Sequence, residues 1–229
     1  MSPTTTRIHL LPPTPPTDRT IEICLYHKLT ALRHAALRSS PAAFSPLYRQ
    51  EAFKCTTPDG RAEAWTFAAV QGPCAKNELE KDGKGEGEGE GDGQGEARHG
   101  EVDKVEKVQV LEADLDALVS GEWVGIVTLI APPPAGDERR WEINWLYVLP
   151  HARRKGMGRR LLEAAVGYGV RESRLRGRER AGFRLQVATG NVGVVGWYER
   201  LGWRVRGECV GGLEMERWVG GEVEASDRV

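Results

Sequence analysis

The chain has 229 residues, enough to bury a sizeable core, and it fits one domain better than two. Its hydrophobic share of 40% and charged share of 28% are those of a soluble globular protein, and 32 basic against 33 acidic residues leave a formal net charge of -1. That balance excludes a surface given over wholly to nucleic acid, while leaving room for a local basic patch.

Cys24, Cys55, Cys74 and Cys209 are far apart and make no C-x-x-C pair, so they read as reduced thiols rather than a disulfide framework or a zinc site. No two histidines stand at ligand spacing, and no metal is expected. The N-terminus MSPTTTRIHL lacks the apolar core of a secretory signal. The longest apolar run, Trp123 to Ala131, is too short to cross a bilayer, so the expected location is cytoplasmic or nuclear.

In chain order, a short strand is expected near Arg7–Leu11, followed by a proline-rich connector over 12–16. A helix is expected from about Glu22 to Arg38, because Ile21, Leu25, Leu29, Leu32 and Ala36 recur at three- and four-residue steps. Ser39-Ser40-Pro41 ends it, and Ser45-Pro46 suits the start of a second helix. Between Gly83 and Gly95 every second residue is glycine, with acidic residues among the rest, so 75–104 reads as a disordered acidic insertion. Val108–Ala113, Trp123–Ile130 and Trp141–Leu149 are expected strands, with a connection over 114–121 and a turn at Pro132–Gly136. Gly156–Gly158 opens a helix bearing Leu161, Leu162, Ala165, Val166 and Val170 on one face, weakened by Gly167 and Gly169. Then come a strand at Phe183–Ala188, a helix at Val192–Leu201, and strands at Arg204–Gly207 and Leu213–Val219, with a flexible tail over 220–229. The order predicts an α/β fold (an α+β sandwich) on a mixed sheet, in a single domain spanning the chain.

The chemistry is concentrated in Val148-Leu149-Pro150-His151-Ala152-Arg153-Arg154-Lys155-Gly156-Met157-Gly158-Arg159-Arg160-Leu161-Leu162: a strand end, a cationic glycine loop, then a helix. Glycines let backbone N–H groups approach an anion, and a helix N-terminus adds partial positive charge. Such a site suits a pyrophosphate. A P-loop is excluded, since no Lys-Ser or Lys-Thr follows these glycines, and a dinucleotide fingerprint fails because residue 161 is leucine. A nucleic-acid patch over Arg153–Arg160 is the competing reading.

Arg153-x-x-Gly156-x-Gly158, after a strand ending in Val-x-Pro and before a helix with Leu-Leu, resembles the R/Q-x-x-G-x-G/A signature of the GNAT superfamily of acetyl-CoA-dependent N-acetyltransferases. Asn191…Trp197-Tyr198-Glu199-Arg200-Leu201-Gly202-Trp203 is similar to that family's Asn…Tyr-Glu-x-x-Gly-Phe segment, with Trp203 in the usual Phe place. Ala31-Leu32-Arg33…Ser39-Ser40-Pro41-Ala42-Ala43-Phe44 resembles the first helices of many members, which roof the acceptor site.

The resemblance implies a single domain with a mixed, centrally splayed sheet flanked by helices on both faces. It implies acetyl-CoA as donor, no metal, and a primary amine, small or on a protein, as acceptor. Leu146, Tyr147 and Val148 would offer backbone groups to the pantetheine arm, with the Val148 N–H polarising the thioester carbonyl. Arg153, Arg154, Lys155, Gly156, Met157, Gly158 and Arg159 would wrap the pyrophosphate. Asn191 would touch the arm or cap the following helix. Glu142 is the candidate base, or else a strand-start carboxylate near Arg139 or Arg140, and Asn144 shares its face. Tyr198 is the candidate acid for the departing thiolate, or else a core aromatic. Trp65, Trp141 and Trp145 line the acceptor pocket or the core. The alternative to an enzyme is a catalytically silent CoA-binding regulatory module. The sequence leaves the acceptor and the oligomeric state open.

Overall fold

A computed structural model describes residues 4–12, 16–41, 64–73, 110–111, 114–132 and 140–220. The expected second helix at Ser45, the insertion at 75–104 and the turn at 133–136 lie outside the described residues, as do 221–229 of the expected tail.

The described chain runs β1 (Thr4–Leu10), α1 (Arg19–Ser39), β2 (Ala64–Pro73), β3 (Val110–Leu111), α2 (Leu115–Ser120), β4 (Glu122–Ile130), β5 (Arg140–Val148), α3 (Met157–Leu175), β6 (Ala181–Ala188), α4 (Val195–Glu199), β7 (Arg204–Cys209) and β8 (Gly212–Val219). Single-turn 3₁₀ segments at Pro150–Ala152 and Thr189–Val194 lead into α3 and α4. The strands form one eight-stranded sheet in the order β3-β1-β2-β4-β5-β6-β8-β7. β1–β3 and β5–β6 are parallel and the other pairs antiparallel, so the sheet is mixed, as expected.

Helices cover both faces. α1 is capped by Asp18, whose carboxylate accepts from Thr20 N at 2.8 Å, and it buries Leu25, Leu29, Leu32 and Ala36, the face that the periodicity predicts. These pack with Ala68, Val70, Leu118, Trp123, Ile126 and Tyr147. Lys28 ties α1 to α2 by donating to Gly121 O at 2.6 Å. On the opposite face α3 packs Leu161, Leu162, Ala165 and Val166 against Phe67, Val127, Trp141, Ile143, Phe183 and Leu185. Gly167 and Gly169 do not shorten α3. Gly167 meets open space, but a Cβ on Gly169 would stand 2.7 Å from the Phe183 ring, so the glycine permits close helix–sheet approach. Packing overrides propensity here.

Two elements were not expected. β2 is a central strand whose Ala-rich stretch Phe67-Ala68-Ala69-Val70 is buried on both faces, a run without alternation that carries a weak strand signal. α2 occupies the expected connection and is nucleated by Asp114, which accepts from Ala117 N at 3.0 Å.

His9, on β1, is only 1% exposed, and its Nδ1 has no hydrogen-bond partner among the described residues. Burial holds its imidazole below the ordinary value; Asp114 opposes this and Arg7 reinforces it. The unfolded chain therefore binds a proton near pH 6.5 that the folded chain refuses. The stabilisation is complete above that pH and is lost as pH falls toward the folded value. Urea unfolding at a series of pH values should show stability rising from pH 5 to 7, with a shallower slope in His9→Leu; equal slopes would contradict the assignment.

Candidate active site at the splay of the sheet

The site is made by a failure of pairing. The β5–β6 ladder runs from Arg140↔Gly182 to Ile143↔Leu185 and stops, although β5 continues to Val148 and β6 to Ala188. Beyond Ile143 the two parallel strands diverge into a V. β5 stays paired with β4, but the register jumps: Ile126 faces Tyr147 while Thr128 faces Asn144. This β-bulge places Trp145 at φ +57°, a left-handed conformation that a non-glycine residue rarely adopts. The bulge also flips the strand's alternation. Trp141 and Ile143 pack on the α3 side, whereas Tyr147 enters the α1 core, where Ser39 Oγ lies 2.7 Å from its hydroxyl.

At the end of β5, Leu149 N donates to Val124 O at 2.8 Å, toward β4. Successive strand N–H groups alternate, so the Val148 N–H faces away from β4 and into the V. Gly125, opposite Val148, allows this close packing: a Cβ there would lie 2.9 Å from both Tyr147 O and Leu161 Cδ1.

The cationic loop turns through two left-handed residues, Arg154 at φ +62° and Gly156 at φ +73°. α3 has no side-chain N-cap, and its first helical bond is Arg160 N to Gly156 O at 3.0 Å. The N–H groups of Met157, Gly158 and Arg159 thus head the helix without an intrahelical partner. The five cations separate into two groups. Arg153 donates to Val148 O, Arg159 to Glu163 Oε1 at 2.7 Å, and Arg160 to Thr6 O at 3.2 Å. Arg154 and Lys155 are exposed and carry no ion pair or hydrogen bond among the described residues. Trp197 of α4 covers Gly158, where an added Cβ would lie 3.7 Å from its ring. A pyrophosphate fits this arrangement: uncapped helix N–H groups, two uncommitted cations and a glycine beneath an aromatic lid.

Tyr198 adjoins that lid. Its ring packs edge-on to Trp197 at 4.8 Å and to Trp203 at 6.1 Å, and burial pushes its phenol well above the usual tyrosine value. Asn191 sits inside the 3₁₀ segment at φ -126°; the N-cap of α4 is Val194, so Asn191 does not cap that helix. The expected helix at 192–201 is instead this segment followed by the short α4. Trp203 fills the expected Phe place at 1% exposure, with its Nε1 unpartnered among the described residues.

Glu142 lies on the face opposite α3. Asn144 Nδ2 donates to its Oε1 and Arg184 Nη2 to its Oε2, both at 2.9 Å. It forms an ion pair with Arg184, its register partner on β6, while Arg140 pairs with Glu216 at 2.6 Å. The register sets Glu142, Arg184, Glu216 and Arg204 in one row across β5, β6, β8 and β7, an alternation of charge that stabilises the strand order. Beside Glu142 opens a cleft of about 300 Å³ lined by Arg184, Leu185, Gln186, Cys209, Val210 and Glu214. The Gln186 amide donates to Cys209 Sγ at 2.9 Å and Val210 O at 2.6 Å. Arg184 and Gln186 were not singled out from the sequence, although the alternation in Phe183-Arg184-Leu185-Gln186-Val187 marks them as facing away from the core. Of the three tryptophans named, Trp141 is fully buried, its Nε1 donating to Ser173 Oγ at 2.8 Å; Trp65 packs on it; and Trp145 stacks under Arg33 at 5.2 Å.

Residues 95–203 match the family model described as Acetyltransferase (GNAT) family. Over these residues the chain is similar to a GNAT domain. No curated protein is significantly similar to it in sequence. Among solved structures, Escherichia coli ElaA is 10% identical with a TM-score of 0.50, over 93% of this chain and 99% of that one. A PaiA N-acetyltransferase from Thermoplasma acidophilum, in complex with coenzyme A, is 14% identical with a TM-score of 0.47, over 93% and 98%. A GCN5-related N-acetyltransferase from Kribbella flavida is 15% identical with a TM-score of 0.47, also over 93% and 98%. The likeness to ElaA is one of fold, and the splayed mixed sheet with helices on both faces is the GNAT arrangement. Among the described residues no cluster of His, Cys, Asp and Glu could hold a metal, and no helix is long and apolar enough to cross a membrane.

Proposed function

We propose that the protein transfers an acetyl group from acetyl-CoA to a primary amine by direct attack within a ternary complex. The observation that carries this reading is the coincidence, at the end of β5, of the V-shaped opening with the uncapped N-terminus of α3. The opening is shaped for an extended arm and the helix end for a pyrophosphate. Acetyl-CoA supplies an activated thioester. The backbone of Leu146, Tyr147 and Val148 binds the arm along the open edge of β5, and Asn191, three residues past the end of β6, meets the same arm. The Val148 N–H polarises the thioester carbonyl, in the manner of an oxyanion hole. Arg154, Lys155 and the N–H groups of Gly156, Met157, Gly158 and Arg159 hold the pyrophosphate.

An alkylamine with a pKa of roughly 10.4 is neutral in only about one molecule in 2,500 at pH 7, so a base is needed. Glu142, oriented by Asn144 and Arg184, takes the proton from an amine seated in the adjoining cleft. Tyr198, still protonated at neutral pH, returns one to the departing sulfur.

Acetyl-CoA at about a hundred times its dissociation constant should stabilise the fold by roughly 2.7 kcal/mol, read as a raised unfolding midpoint. Gly158→Glu should abolish the shift, because the side chain enters the space under Trp197 and sets a carboxylate among N–H groups meant for an anion. A shift in both proteins places the cofactor elsewhere. No shift in a folded natural chain removes the donor from the reading. A shift without thiol release on any amine would favour a silent CoA-binding module.

A further inference from the structure

We propose that Arg153, the first residue of the cationic loop motif, is a positioning residue that fixes the end of β5 and ties it to α1 rather than a ligand of the pyrophosphate. The inference deepens the reading above and rests on it for its consequence, though not for its geometry. After Val148 the chain makes one 3₁₀ turn, Pro150–Ala152, and this brings Arg153 back over the strand it has just left. Its Nε donates to Val148 O at 2.9 Å, and its Nη2 reaches Ser40 Oγ at 3.4 Å. Its guanidinium carbon stands 5.5 Å from the centre of the Tyr147 ring. Tyr147 is itself bonded to Ser39, so consecutive residues at the C-terminal end of α1, Ser39 and Ser40, are joined to consecutive residues of β5, Tyr147 and Val148, through one guanidinium and one phenol.

The arrangement has a chemical reason. Val148 offers its N–H to the V, and its own carbonyl, on the following peptide unit, is the atom that Arg153 holds, so the guanidinium fixes the backbone immediately next to the N–H that polarises the donor carbonyl. A planar, permanently charged fork can hold a carbonyl, a hydroxyl and an aromatic face together; a lysine ammonium holds one of them well. Arg153 thereby couples the geometry of the donor site to α1. Arg154 and Lys155, which have no such commitments, are left for the anion.

The test uses hydrogen exchange of the ligand-free protein together with two acetyl donors. The amides to follow are Ser40, bonded to Ala36 O at 2.9 Å, and Leu149, bonded to Val124 O at 2.8 Å. Arg153→Met should raise exchange at both by about tenfold, the effect of losing one charge-assisted hydrogen bond near the surface. Arg154→Met should change neither. Tyr147→Phe should raise exchange at Ser40 alone, which keeps the idea testable if the methionine variant folds poorly. With acetyl-CoA and with S-acetyl-pantetheine, which has no pyrophosphate, Arg153→Met should lower kcat/KM by the same factor, and Arg153→Lys should recover only part. Unchanged exchange at Ser40 and Leu149 would overturn the proposal, as would a loss confined to acetyl-CoA. Raised exchange in a chain that acetylates nothing would leave the positioning role intact and remove the enzymatic reading instead.

Discussion

Replacing Glu142 by Gln is expected to lower kcat/KM for amine acetylation by about 10²–10⁴-fold while leaving acetyl-CoA binding in place. Glu142 accepts from Asn144 and Arg184, and each carboxylate oxygen offers two lone-pair sites. The cleft beside it is where an amine would meet them. Glutamine keeps the size and one acceptor oxygen, but it cannot take a proton, and it turns an N–H₂ toward one of two donors. The ion pair with Arg184 is partly exposed, with side-chain exposures of 28% for Glu142 and 33% for Arg184, so its loss should cost no more than about 1 kcal/mol of stability. That separates the two readings of the residue. A carboxylate that merely pairs strands would show a small fall in stability and an unchanged rate. A base would show near-natural stability and a lost rate. Arg184→Met, which removes the donor at Oε2 and keeps the carboxylate, serves as the control and should cost less rate than Glu142→Gln. A kcat/KM within threefold of the natural chain would remove Glu142 from the mechanism.

The glycine loop and the helix after it were legible in the sequence because their determinants are local. Gly156 is needed for a positive φ, Gly158 for space under Trp197, and the helix that follows has a clear apolar period. The surroundings of Glu142 were less legible because they are made by register. Nothing local to Arg184 says that it stands across from Glu142; that follows from a parallel pairing of strands separated by the whole of α3. The bulge at Trp145 was equally hidden. Strict alternation along β5 sends Tyr147 to the same face as Trp141 and Ile143, and a single extra residue sends it to α1 instead. β2 was missed because a strand buried on both faces loses the alternation by which strands are recognised, and its alanines give little propensity to replace it. The partners of the loop's charges were hidden as well. Spacing shows five cations in eight residues, and it does not show that Arg153, Arg159 and Arg160 have intramolecular partners.

Tyr198→Phe is expected to lower kcat by about 10²-fold with little change in stability or acetyl-CoA affinity. The substitution removes a hydroxyl and no carbon, so the edge-on packing with Trp197 and Trp203 survives. The case for an acid rests on where the proton is held. Burial raises the phenol above its ordinary value near 10, so the side chain is protonated throughout the range in which a departing thiol, with a pKa of about 8.5, comes to carry negative charge. The direction of that shift has a second consequence. An unfolded tyrosine ionises near pH 10 while the folded one does not, so the native state binds more protons there and stability falls as pH rises past the unfolded value. In Tyr198→Phe this loss should be reduced, and the ultraviolet titration should lose a phenol that ionises above the ordinary tyrosine range. Together the two measurements separate packing from chemistry. A core aromatic would give the altered titration and an unchanged kcat, whereas an acid gives both changes, with a rate ratio between the natural and Phe chains that stays level from pH 7 to above pH 9.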